Sequence, residues 1–171
     1  MSTHLEAQWI VGFTDGEGCF NLDVHLHKDT KWGIQMQPEF TVVQGEVDVN
    51  ILHALKNRFG CGTVAVNRKD QTSTRMMYRV KNIKDCHTII VPFFEQHQLK
   101  TKKRVEFERF RTIVRLMHEG YHRQSLRHFL EILEKGEQLR VRQRPADLKK
   151  REKVTQKIAE LRQKLEEDPT L

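Results

Sequence analysis

The stretch Ile10-Val-Gly-Phe-Thr-Asp-Gly-Glu-Gly18 runs from an apolar helix straight into an acidic, glycine-rich end. Thr3-His-Leu-Glu6, just before it, has the capping-box pattern, with Thr3 as N-cap and Glu6 reaching back. Gly12 and Gly16 are spaced four apart and share one helix face. Small residues at that spacing let two helix backbones approach closely. Immediately downstream, Phe20-Asn-Leu-Asp-Val-His-Leu-His27 alternates strictly, with Phe20, Leu22, Val24 and Leu26 on one side. That is a half-buried strand.

A turn around Lys31 leads to a second alternating run, with Ile34, Met36, Phe40 and Val42 in one parity. Pro38 interrupts it, which predicts an edge strand or a bulge. A helix is expected over 47–59, with Ile51, Leu52, Leu55 and Phe59 on one face and Gly60 as its C-terminal cap. A second hairpin covers Thr63–Lys69 and Arg75–Lys81, and Asp85 opens a short apolar helix broken near Pro92. The order α-β-β-α-β-β-α describes an α+β fold, one antiparallel four-stranded sheet with helices on one face. Beyond it the chain turns to charged helix. Phe107, Phe110, Val114 and Met117 form one stripe, and Leu126, Phe129, Leu130 and Leu133 another. Pro145 starts a last helix with a seam of Val154, Ile158, Leu161 and Leu165. A soft boundary near Gly120 divides a core, 1–120, from a basic C-terminal helical extension, 121–171.

The chain has 171 residues, 30 Lys and Arg against 23 Asp and Glu, a formal charge of +7 and a pI near 9.5. Such a balance favours a polyanionic partner, most often nucleic acid. No apolar run would span a bilayer, and the amino-terminal segment reads as folded helix, not as a signal peptide. Cys19, Cys61 and Cys86 are odd in number and widely spaced, which points to thiols in a reducing compartment.

The segment 10–18 resembles the LAGLIDADG motif position by position. Phe40-Thr-Val-Val-Gln44 with Arg58-Phe-Gly-Cys-Gly62-Thr-Val resembles the middle of that family of homing endonucleases. Pro92-Phe-Phe-Glu, Leu99-Lys-Thr-Lys-Lys103 and Glu106-Phe107 resemble its closing segment. Three segments in order cover about two-thirds of the chain and are far more specific than one. The resemblance implies a metal-dependent, site-specific DNA endonuclease with this core. The motif occurs once, so a homodimer is expected, joined through Gly12 and Gly16 and setting two Glu17 carboxylates side by side. By resemblance Glu17 binds metal, and the Gly16 carbonyl is a second candidate ligand. Mg²⁺ is the expected cation, with Mn²⁺ an alternative and Ca²⁺ supporting a non-cleaving state. Glu17 stands where the motif's name has Asp, one methylene longer. Hydrolysis also needs charge neutralisation at the phosphate, for which Lys102 and Lys103 are candidates, with Lys102 ranked first. Gln44 matches a polar active-site position of the family. Glu46 and Asp48 follow it where relatives carry basic residues, which weakens any electrostatic role for that segment.

Antiparallel ribbons fit the major groove of duplex DNA, with alternate residues reaching successive bases. The first hairpin offers Asn21, Asp23, His25, His27, Gln35 and Gln37, and the second Arg68, Lys69, Arg75 and Arg79. Arg140, Arg142 and Arg144 are expected to hold the phosphate backbone. A competing motif, His118-Glu-Gly-Tyr-His122, fits HExxH, but Gly120 sits in its middle at an expected helix break. The closer alternative is a non-cutting nucleic-acid binder of the same fold, an intron RNA maturase or a transcription factor. Family members of this kind are encoded in introns of organelles, chloroplast or mitochondrion, or of prokaryotes.

Overall fold

The computed structural model describes residues 5–139 and 145–171. The elements follow in chain order: α1 (Ala7–Glu17), β1 (Gly18–Leu26), β2 (Ile34–Gly45), α2 (Val49–Phe59), β3 (Thr63–Lys69) and β4 (Thr74–Val80). A helical segment comes next, α3 (Ile83–Asp85), widening through a π turn (Cys86–Ile90) into α4 (Val91–Gln96). The remainder is α5 (Lys103–His118), α6 (Tyr121–Gln124), α7 (Leu126–Glu137) and α8 (Pro145–Glu167). The four strands form one antiparallel sheet in the order β1-β2-β4-β3. The α-β-β-α-β-β-α order and the α+β class expected from hydrophobic periodicity are therefore present.

The alternation in β1 and β2 places Phe20, Leu22, Ile34, Met36, Phe40 and Val42 in the core. Phe20 is its centre, with ring centroids of Phe40 and Phe110 each 5.2 Å away and Phe94 and Phe107 close behind. α2 buries Leu52, Leu55 and Phe59 and ends at Gly60, whose φ of 68° is the left-handed cap that glycine favours. The stripes read in α5 and α7 are buried against the same core. The seam of α8 joins it too, with Val154, Ile158 and Leu161 buried and Leu165 packed alongside. α7 lies close on β1, so that a Cβ at Gly136 would stand 3.2 Å from Leu22 Cβ.

Four local expectations need correction. β2 is an inner strand and pairs with β1 in unbroken register through Leu22↔Pro38. Its pairing with β4 begins only at Phe40, so Pro38 sits where β2 has a single neighbour and its missing N–H is tolerated. The bulge lies instead in β3, between Val66 and Arg68. The helix after β4 is opened by Asn82, not Asp85. Asn82 Oδ1 accepts from Lys84 N–H at 2.9 Å and Asp85 N–H at 3.3 Å. Pro92 does not break this segment. It falls in the first turn of α4, directly after the π turn. Finally, α1 starts at Ala7 with Glu6 as N-cap, and Thr3 lies outside the described residues.

Candidate functional site

Helices cover one face of the sheet; the other carries the more exposed parity of β1, β2 and β4, while β3 is exposed along nearly its whole length. Register fixes who stands beside whom there. Asn21 faces Glu39, Asp23 faces Gln37 and His25 faces Gln35. Across β2 and β4, Thr41 faces Arg79, Val43 faces Met77 and Gly45 faces Arg75. The first-hairpin residues expected to read bases are thus gathered on one open surface, with His27 just past the end of β1. They are already organised: His25 Nε2 lies 3.0 Å from Gln35 Oε1, and His25 Nδ1 lies 3.2 Å from Asp23 Oδ2. On β3 the bulge reverses the alternation, so Arg68 pairs with Arg75 and shares the open face with Thr63 and Ala65. Lys69, one residue on, pairs with Thr74 in the opposite parity, exposed at the hairpin end. Arg68 is held by Asp70 at 2.9 Å. Arg140, Arg142 and Arg144 lie outside the described residues.

Sequence reasoning put Glu39 and Thr41 in the parity of Gln35 and Gln37 but named none of Glu39, Thr41, Val43 and Met77 as a base-reading residue. Parity alone would have included them, since they alternate with the buried Phe40, Val42 and Tyr78. Glu39 lies 3.7 Å from Arg79. Burial, and then the neighbouring Asp23 carboxylate, push the Glu39 carboxyl above its usual range, against the pull of Arg79.

At one end of the sheet α1 passes directly into β1. Glu17 is the last helical residue and is exposed. Gly18 turns the chain, its N–H donating to the Thr14 carbonyl. No basic residue occupies the last turn of α1. A carboxylate at the negative end of a helix dipole, beside a terminal carbonyl such as that of Gly16, is an all-oxygen donor set suited to a hard divalent cation. Among the described residues no group of three or more His, Cys, Asp and Glu gathers as a metal site.

Lys102 is the exposed N-cap of α5. Lys103, one residue on, is largely enclosed and pairs with the buried Glu106 at 3.1 Å. Its charge is felt by Cys19, whose thiol is nonetheless pushed up by burial. That influence sets the Lys103 charge on the side of β1 that begins with Cys19. Gln44 pairs with Met76 in the parity of Phe40 and Val42, on the helix side of the sheet rather than the open face. Around His118 the chain is not one helix. α5 ends there, Gly120 takes φ 78°, and His122 belongs to α6. His118 instead stacks on His87, with centroids 3.9 Å apart. The three cysteines are free thiols, and burial pushes Cys86 up to about 12.

The face of α1 that bears Gly12 and Gly16 is bare of the described residues: a Cβ at either position would meet none of their atoms within 4 Å. Trp9 lies on the same helix, 41% exposed and stacked on Phe13 at 4.7 Å.

A helix with a bare glycine face, an acid at its end and an open antiparallel saddle beside it define the architecture of a LAGLIDADG protein. The LAGLIDADG endonuclease family model matches residues 10–114, well over half of the sequence, and this chain belongs to that family. It is 32% identical over 130 residues to the probable intron-encoded endonuclease 2 of Neurospora crassa, covering 76% of this chain but 28% of that protein. The crystal structure of the homing endonuclease I-TnaI superposes with a TM-score of 0.79 at 35% identity, over 93% of this chain and 99% of that one. Meganuclease I-SmaMI bound to uncleaveable DNA superposes at 0.72 with 25% identity, over 81% of this chain and 46% of that one. The chain thus spans about a quarter of the curated relative, under half of one solved structure and nearly all of another. No helix among the described residues is long and apolar enough to cross a membrane.

Proposed function

We propose that this chain is a site-specific endonuclease of duplex DNA that acts as a homodimer. The observation that carries it is the pairing, on one short helix, of a glycine face that touches none of the other described residues with an exposed acid at the helix end. Two such helices packed about a two-fold axis would bring two Glu17 carboxylates together and join two sheets into one long saddle. The relative of full matching length, I-TnaI, is a homing endonuclease, which supports this reading.

Glu17 and the Gly16 carbonyl would hold the divalent cation, Mg²⁺ or Mn²⁺, with Ca²⁺ supporting binding without cleavage. When bound, such a cation polarises the phosphoryl oxygen and activates water for hydrolysis. The chain's own residues supply the rest. The open face of the sheet would lie in the major groove, where Asn21, Gln35 and Gln37 suit adenine edges, Arg75 and Arg79 suit guanine, and Asp23 accepts from cytosine. Val43 and Met77 add apolar surface for thymine methyls. Lys102, exposed at the start of α5, would meet phosphate charge, whereas Lys103 is already engaged by Glu106. Gln44 would orient a polar group from beneath the sheet. We assign the chemistry to the core, 1–120, and a bracing and backbone-holding role to the extension, 121–171, with Arg140, Arg142 and Arg144 on phosphates. The intron-encoded relative and the three free thiols favour a reducing intracellular compartment, in an organelle or a prokaryotic cytoplasm.

Cleavage-site selection from a randomised duplex library with Mg²⁺ tests the reading. The expected product is a near-palindromic site of about 20 base pairs, two helical turns. Retention of a specific duplex or RNA without any cut would overturn it in favour of a non-cutting binder, a maturase or a transcription factor.

A further inference from the structure

Asp15 belongs to the same acidic run as Glu17, yet its carboxylate turns to a segment 85 residues away in sequence. Oδ2 accepts from Lys100 N–H at 2.8 Å. Oδ1 accepts from Thr101 N–H at 3.2 Å and from the Thr101 hydroxyl at 2.8 Å. The Thr101 Oγ1 in turn accepts from Lys103 N–H at 3.1 Å, and the Thr101 carbonyl accepts from Arg104 N–H at 3.0 Å. Lys102, at the N-cap of α5, provides no side-chain cap. The first turn of α5 is therefore capped through Thr101, from a carboxylate on α1.

The arrangement is costly for α1 taken alone. A negative charge in the last turn of a helix opposes its dipole. A local Ser or Asn would cap α5 without a partner from another helix. What the long-range version adds is position. The acid two residues before Glu17 is tied to the backbone of the run Lys100–Lys103, so the carboxylate end of α1 and the basic start of α5 move as one unit. The buried Glu106 then fixes the Lys103 ammonium from within α5.

We propose that Asp15 is a positioning residue of the active centre. Its carboxylate clamps the Lys100–Lys103 turn in register with Glu17, so that the exposed Lys102 head stands at the phosphate while Glu17 faces the cation. This rests on the nuclease reading given above. The clamp also explains why the motif carries two acids. Glu17 is left for the reaction because Asp15 is spent on geometry.

The full chain is compared with Asp15→Asn, Thr101→Val and Thr101→Ser. Three quantities are read: single-turnover cleavage of the selected duplex in Mg²⁺, duplex Kd in Ca²⁺, and amide hydrogen exchange over residues 99–103. Asn keeps one acceptor oxygen but turns a donor toward Lys100 or Thr101. Expected for Asp15→Asn are a rate loss of about 10- to 100-fold, a Kd within about twofold of wild type and faster exchange at Lys100 and Thr101. Thr101→Val should show a smaller loss of the same kind, and Thr101→Ser, which keeps the hydroxyl, should restore it. Unchanged exchange in Asp15→Asn, parallel loss of rate and affinity, or a Thr101→Ser variant as slow as Thr101→Val would each overturn the clamp. A wild-type chain that cut no duplex would instead overturn the nuclease reading and the catalytic role with it, whatever the exchange showed.

Discussion

Replacing Gly12 by Ala has a sign that depends on whether α1 meets a second helix. In the single chain, a Cβ at Gly12 or Gly16 finds no atom of the described residues within 4 Å. Gly12 lies in the interior of α1, where Gly→Ala gains about 1 kcal/mol of helix stability. A chain that worked alone would therefore melt higher as Gly12→Ala. In a homodimer packed on this face, two new methyl groups would push the helices apart. Overpacking costs about 1–3 kcal/mol per site, hence about 2–6 kcal/mol for the pair, while the helix gain is common to monomer and dimer and leaves their equilibrium alone. Every 1.4 kcal/mol is a factor of ten, so the dimer Kd should rise at least about 30-fold. Sedimentation velocity over a dilution series measures that constant. Trp9, exposed on the same helix, should report dissociation as a red shift of its emission. Gly12→Leu should abolish the dimer altogether. A Gly12→Ala protein that melts higher at every concentration, with unchanged sedimentation, would refute the interface.

Glu17→Gln keeps shape and removes charge, so cleavage should fall by several orders of magnitude while duplex affinity in a gel-shift assay holds or improves. Lys102→Ala should slow cleavage on the order of 10²-fold with no change in melting, whereas Lys103→Ala should also lower stability by about 1–3 kcal/mol, because it leaves Glu106 buried without its partner. For Glu39, the raised folded pKa means that the ionised form is the costlier one in the fold. Its contribution is favourable at low pH and is lost as pH rises through the folded value. Glu39→Gln should then be more stable than wild type at pH 7 in urea titrations, with the gap closing below about pH 4, the ordinary Glu range. Gly136→Ala should destabilise by about 1–3 kcal/mol, since α7 presses on Leu22 of β1, and its thermal melt should show it.

Much of this architecture is legible in local pattern, and what is not has a common cause. Phe20, Leu22, Phe40 and Val42 announce their burial by period two, and Gly60 announces the end of α2. The same parity places Gln44 with Phe40 and Val42 on the helix side, so that detail was readable as well. Pro38 misleads because being at an edge is a property of strand order, which no local run encodes. The bulge in β3 is silent because Ala65 and Val66 are both exposed and leave no alternation to be interrupted. Asn82 and Asp85 are equally good caps by composition, and it is Asn82 whose side chain accepts from the first turn. The role of Asp15 is invisible in sequence, because its partners Lys100 and Thr101 are brought to it only by the fold.

The junction of α1 and β1 shows how the constraints of folding and of chemistry meet. Thr14 is buried, and a Cβ at Gly18 would stand 2.7 Å from the Thr14 carbonyl oxygen, so the chain can turn here from helix to strand only through glycine. That turn is demanded by the core, because two residues later Phe20 must enter the aromatic cluster. Given the turn, Glu17 is the last side chain before the strand and points to solvent. From Gly18 on, the alternation that buries Phe20 and Leu22 forces Asn21 and Asp23 onto the open face. The helix end that would hold the cation and the surface that would read the duplex are therefore consecutive along the chain. Their relative placement is set by the Thr14–Gly18 turn, so Gly18→Ala should slow single-turnover cleavage more than it weakens duplex affinity in a gel-shift assay, and equal losses of both would refute the coupling.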